Sequence, residues 1–348
     1  MGVWRFLFYA RGVNMGVKTE NKMAYEPVNK LIIQMSAPPL ISMFFQYSYN
    51  LVDSMFVAGI NEQALAAVSL AFPITTLMNA LSVWIGVGVN VLIAGYLGQK
   101  NQQKANSAAA LGVVISVVVG VLINFLSLFI INPYYSAFTQ NKEIFEYGIA
   151  YMSVCVFMQI PNMVHIVIQK ILQATGNMIF PMLSQLFGAI VNIIFDPLLI
   201  FGIGIFPEMG VLGAAIATVF GQFCGMVFCL CILFFKVSFK HFKLNGSTLK
   251  SIYVVGFPSV IMQSIGSVMI IGLNAILAVS EAAVTVLGIY YKLQSFVFMP
   301  CFGLNQGVMP IIGYNYGARK KKRMYLFMIT YFLIGVIFRE VFSTPRLL

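Results

Sequence analysis

The sequence predicts an all-α polytopic membrane protein: a six-helix bundle followed by about three helices of a second, repeat-related bundle. Three observations carry this. Of 348 residues, 60% are hydrophobic and 9% charged, against roughly 25% charged in a soluble domain. Nine apolar segments of bilayer-crossing length follow one another. Motifs of the first two recur in the seventh and eighth, about 220 positions later.

Residues 1–29 form an N-terminal segment whose apolar patch, Val3 to Ala10, is too short to span and lacks a cleavage site. Met15 and Met23 are alternative starts. The apolar segments lie at 31–60, 64–97, 106–132, 146–173, 178–203, 210–235, 251–279, 282–316 and 324–342. Segments one to six make an N-lobe over 30–236, 237–250 is a basic linker, and 251–348 is an incomplete C-lobe. Lys and Arg alternate from loop to loop: Lys18, Lys22 and Lys30, then Lys100 and Lys104, then the linker, then Arg319 to Arg323. By the positive-inside rule these loops and the N-terminus are cytoplasmic, in a multi-pass protein of the cell membrane.

The first segment contains Gln46, Asn50 and Asp53 at i, i+4 and i+7, one polar stripe on an apolar rod. A carboxylate mid-span costs roughly 2.5–3.5 kcal/mol on insertion scales, so Asp53 is a candidate ion or proton site, or a residue held by a neighbouring helix. The third segment is apolar throughout and serves as scaffold. Pro161 should kink the fourth, with Gln159, Asn162, His165 and Gln169 around the bend. His165 suits either a proton relay or hydrogen-bonded packing.

The fifth segment supplies a second acid. Asn192 and Asp196 stand one turn apart, and Pro197 leaves the Ile193 carbonyl without its helical donor. Two acids, an amide and a freed carbonyl are hard oxygen ligands for a proton or Na⁺; Asp196 as a helix cap is the plainer reading. Thr218 in the sixth segment could add a hydroxyl. There Gly213, Ala217, Gly221 and Gly225 form a small-residue row for close helix packing. Lys292 is the intramembrane cation of the eighth segment, facing a cleft or snorkelling to an interface. Met43, Phe45, Tyr49 and Met158 would suit an adaptable pocket for flat cations, or simply fill the bilayer-facing surface.

Several classes are excluded or unsupported. The net charge of +11 sits in short loops, and no basic stripe is interleaved with stacking aromatics, so nucleic acid is not an expected partner. The five cysteines, Cys155, Cys224, Cys229, Cys231 and Cys301, lie in apolar runs and read as packing residues. GxxxxGK[ST], GxSxG and HExxH are absent, so neither an enzyme nor ATP hydrolysis is expected. Energy would come from an ion gradient or a partner subunit, with no cofactor.

The repeat pairs Ala37-Pro38 with Phe257-Pro258, and GYLGQK (Gly95 to Lys100) with GYNYGARK (Gly313 to Lys320). Duplicated bundles are a common transporter plan. A full second bundle would extend past Leu348, so a C-terminally truncated chain is expected.

On APPLISMFFQYSYNLVDSMFVAGI, GYLGQKN, LQATGN, NIIFDPLLIFG, GVLGAAIATVFGQ and KLQSFVFMPCFGLNQG, the chain resembles the multidrug and toxic compound extrusion (MATE) family, nearest its DinF-like branch. The resemblance implies two lobes around a cleft and export of small organic cations in exchange for H⁺ or Na⁺, as a monomer in the lipid bilayer. It puts the coupling ion on Asp53, Asn192, Asp196 and Thr218, supported by Gln46, Asn50, Tyr151 and Gln169, the last where the family commonly carries Asn. The substrate cleft would draw on Met43, Phe45, Tyr49, Met158 and Lys292. A lipid-linked precursor flippase of the same superfamily, or a non-transporting membrane fragment or receptor, is the alternative.

Overall fold

In a computed structural model, residues 21–236, 246–277 and 281–343 are described. A 3₁₀ turn at Lys22–Ala24 leads into α1 (Val28–Ala58), α2 (Glu62–Gly98), α3 (Gln102–Phe138), α4 (Lys142–Phe157), α5 (Gln159–Ala174), α6 (Ile179–Ile200) and α7 (Val211–Lys236). The second lobe contributes α8 (Gly246–Leu277), α9 (Glu281–Gly317) and α10 (Lys321–Ser343). The all-α membrane architecture expected from the sequence is what forms. Among the described residues, five helices are long and apolar enough to cross a membrane, and the bent pair α4–α5 passes the same test when taken together. α1 is as long, but Gln46, Asn50 and Asp53 dilute its apolar surface. The expected linker falls mostly on 237–245, outside the described residues, and α8 opens at Gly246.

Asparagine caps three of these helices. Asn61 accepts from the Ala64 amide at 2.7 Å, Asn101 from Lys104 at 3.0 Å, and Asn141 from Glu143 at 3.0 Å. Each satisfies an amide that has no partner in the first turn. The third segment behaves as scaffold: α3 turns Val117, Val121, Phe125 and Leu128 outward, an apolar face suited to lipid.

The bend in the fourth span is placed differently from the expectation. It is 48° and falls at Met158, three residues before Pro161. The reason is geometric. A proline obstructs the carbonyl four residues earlier, here Phe157, so the chain breaks there and resumes with Pro161 in the first turn of α5. The Phe157 carbonyl accepts instead from Asn124 Nδ2 of α3 at 3.1 Å.

The internal repeat is a repeat of backbone. α2 and α9 are each 37 residues long, and both ends correspond at a shift of 219 positions, Glu62 to Glu281 and Gly98 to Gly317. Their C-terminal turns match bond for bond: Gln99, Lys100 and Asn101 donate to Gly95, Leu97 and Tyr96, as Ala318, Arg319 and Lys320 donate to Tyr314, Tyr316 and Asn315. Lys100 and Arg319 occupy the same left-handed conformation, φ 59° and 57°. The two helices cross where a Cβ on Gly98 would meet the Tyr314 carbonyl at 2.1 Å, and one on Gly317 the Gly95 carbonyl at 2.0 Å. This is the reciprocity of a pseudo-two-fold contact, and it requires glycine on both sides.

The lobes also meet through α2 and α8, where Trp84 Nε1 donates to the Tyr253 carbonyl at 2.8 Å. A strap before α1 ties them again at one end. Asn21 Nδ2 donates to the Thr175 carbonyl at 3.4 Å, while Asn315 Nδ2 and Lys320 Nζ reach the Met23 and Ala24 carbonyls at 3.1 Å.

Candidate functional site

The candidate site forms where α1, α4, α6 and α7 converge inside the first lobe. The small-residue row of α7 makes this possible. Gly188 and Gly221 cross so closely that a Cβ on either would meet the other's carbonyl at 2.8 or 2.6 Å. With the backbones in contact, Thr218 Oγ1 comes within 3.4 Å of Asn192 Nδ2. One turn on, the same amide nitrogen donates to Asp196 Oδ1 at 3.1 Å.

Because Asn192 Nδ2 is committed as a donor, its oxygen is the other atom. Asn192 Oδ1 and Asp196 Oδ2 are both buried and accept no hydrogen bond. Buried acceptors normally have donors, and leaving one unmet costs about 1–3 kcal/mol. Two such oxygens, one helical turn apart in sequence, suit a proton or a small hard cation. Asp196 is fully buried and Asp53 is 5% exposed. Asp53 of α1 lies within electrostatic reach of Asp196. Tyr49, one turn before Asp53, is near both acids, and Tyr151 of α4, hydrogen-bonded to Cys155, is near Asp53.

The structure therefore brings Asp53, Asn192, Asp196, Thr218 and Tyr151 together. It also adds two residues to the cluster. Tyr49 was expected in the substrate cleft and Cys155 as simple packing; both lie within electrostatic reach of Asp53. The rest of the α1 stripe is separate. Gln46 lies about 10 Å along the helix from Asp53 at 1.5 Å per residue, and Asn50 Nδ2 folds back onto the Gln46 carbonyl at 2.9 Å.

Gln169 joins another group. Its Nε2 donates to Gln185 Oε1 at 2.9 Å and lies 3.0 Å from His165 Nε2, which in turn lies 2.5 Å from Ser184 Oγ. His165 thus sits as a hydrogen-bonded packing residue between α5 and α6. The proposed cleft residues are scattered. Met43 lines a small polar cavity with Gln46 and Gln169, Phe45 is exposed beside Phe44, and Met158 marks the break between α4 and α5. Lys292 belongs to α9, but its side chain lies outside the described residues.

An intramembrane acid cluster inside one half of a duplicated helical bundle is the plan of a secondary transporter. The comparisons agree. The MatE family model matches residues 38–198 and 256–344, most of the chain, and the chain belongs to that family. It is 25% identical to a FAD transporter of Shewanella oneidensis over 337 residues, 94% of this chain and 74% of the relative. It is 27% identical to the multidrug export protein MepA of Staphylococcus haemolyticus over 320 residues, 89% of this chain and 69% of the relative. An outward-facing multidrug resistance MATE family transporter of the MOP superfamily aligns with TM-score 0.82 at 26% identity, covering 94% of this chain and 73% of that one.

Proposed function

We propose that this MATE-family transporter exports small organic molecules, organic cations and drugs among them, by antiport against H⁺ or Na⁺. Asp53 and Asp196 carry the coupling ion, Asn192 and Thr218 complete its oxygen shell, and the two lobes rock about their shared contacts to expose it to either side. The observation that supports this most is the pair of buried, donor-free oxygens, Asn192 Oδ1 and Asp196 Oδ2, beside a second buried acid. Buried acceptors left without donors have a use for a bound cation and none for an anion. The names of the relatives, a FAD transporter and a multidrug export protein, support the small-molecule class.

The test is gradient-driven transport of a fluorescent organic cation into vesicles holding the purified chain. Asp53→Asn and Asp196→Asn should each abolish transport driven by a pH or Na⁺ gradient while leaving membrane insertion and melting temperature close to wild type. Undiminished transport by both variants would remove the ion-coupling assignment.

A further inference from the structure

Lys170, near the C-terminal end of α5, is buried inside the protein at 7% exposure. Its stem crosses α2 at Gly86, where a Cβ would meet Lys170 Cγ at 2.8 Å, and its carbonyl is held by Asn90 Nδ2 at 2.8 Å. No ion pair offsets its charge among the described residues. Instead Nζ donates to Gln173 Oε1 and to Gln306 Oε1, each at 3.1 Å. Gln173 comes from the same helix, Gln306 from α9 of the other lobe.

A lysine only donates, so these contacts fix both amide orientations. The two NH₂ groups are left to find acceptors, and they find poor ones. Gln173 Nε2 shares the already occupied Gln306 Oε1 at 3.2 Å, and Gln306 Nε2 points at the Met43 sulfur at 3.4 Å. A thioether is a weak acceptor. Neither amide nitrogen has a strong acceptor to itself. Gln173 and Gln306, with Gln46, Gln169 and Gln185, line a cavity of about 40 Å³, room for about three waters at 10–15 Å³ each; Lys170 stands behind it, bonded to both of the first two. This is the converse of the Asp53–Asp196 cluster, which has acceptors to spare.

We propose that Gln173 and Gln306, oriented by Lys170, form a subsite for an acidic group, carboxylate or phosphate, of the transported molecule. It rests on the transport reading above and sharpens its substrate class: acid-bearing, zwitterionic compounds are preferred over simple cations of the same shape. Because Lys170 and Gln306 come from different lobes, the subsite is complete only while the lobes touch at this end.

The test measures equilibrium binding by fluorescence anisotropy, using the full chain in phospholipid-free detergent and two probes, a rhodamine with a free benzoic acid and its methyl ester. The wild type should bind the acid about tenfold more tightly than the ester, the ratio of a charge-assisted hydrogen bond. Lys170→Met should bring that ratio to about one. Gln306→Leu should lower it without weakening the ester, which keeps the test open if the lysine variant does not fold. No gradient is involved, so the outcome stands apart from the coupling assignment. Binding of neither probe, equal binding of both by the wild type, or a preference that survives in both variants overturns the proposal. So does loss of the preference on adding phosphatidylglycerol but not benzoate, which would make the occupant a lipid headgroup.

Discussion

The glycine crossing between α2 and α9 makes a prediction whose size can be worked from neighbouring positions. Gly98→Ala puts a methyl group 2.1 Å from the Tyr314 carbonyl oxygen of the other lobe. Relief requires the helices to part by about 1 Å, and such overpacking costs about 1–3 kcal/mol. Gly95→Ala, one turn earlier on the same helix, meets nothing nearer than the Gly313 carbonyl at 3.7 Å, an ordinary contact. It should instead gain up to about 1 kcal/mol of helix propensity. The assay is thermal unfolding in detergent followed by the fluorescence of Trp84, which bridges the lobes through the Tyr253 carbonyl. The only other tryptophan, Trp4, is first changed to Phe. Gly98→Ala should melt several degrees below wild type and Gly95→Ala at or above it. Equal melting of the two variants would refute the crossing as described.

Three further outcomes follow from single contacts. Gly221→Ala, whose Cβ would stand 2.6 Å from the Gly188 carbonyl, should push α7 off α6 and reduce transport at least tenfold while the protein still inserts. Thr218→Ser should transport better than Thr218→Val, since only serine keeps the oxygen beside Asn192; equal rates in vesicles would exclude the hydroxyl from the shell. Asn124→Leu removes the donor to the Phe157 carbonyl and should lower stability by about 0.6–1.7 kcal/mol, the range of interhelical hydrogen bonds in membranes, read as a shift in melting temperature.

The acid cluster was legible because helical spacing alone places its parts. Asn192 and Asp196 one turn apart, and Asp53 on an apolar rod, need no tertiary information to be singled out. Thr218 was legible through the glycine row beside it, which announces a close neighbour without saying which. The subsite around Lys170 was not legible. Lys170 and Gln306 are 136 positions apart, and their meeting depends on how one lobe docks on the other. Nearness to a loop also disguised the lysine, since only the glycine at position 86 lets its stem run inward. Proximity to Asp53 likewise gave Tyr49 and Cys155 a place that neighbouring aromatic and apolar residues had hidden. The bend was foreseen from Pro161, but its position follows the obstructed carbonyl rather than the ring.

The joint between α2 and α9 is made of main chain pressed on main chain, Gly98 on Tyr314 and Gly317 on Gly95. No side chain there can be exchanged for another of similar bulk, so evolution or an engineer can only thicken it. A bearing of that kind resists being prised apart yet offers little friction to tilting. On the antiport reading proposed above it is the fulcrum about which the halves swing, and a wedge driven into it should stall transport without touching any group that binds the cargo.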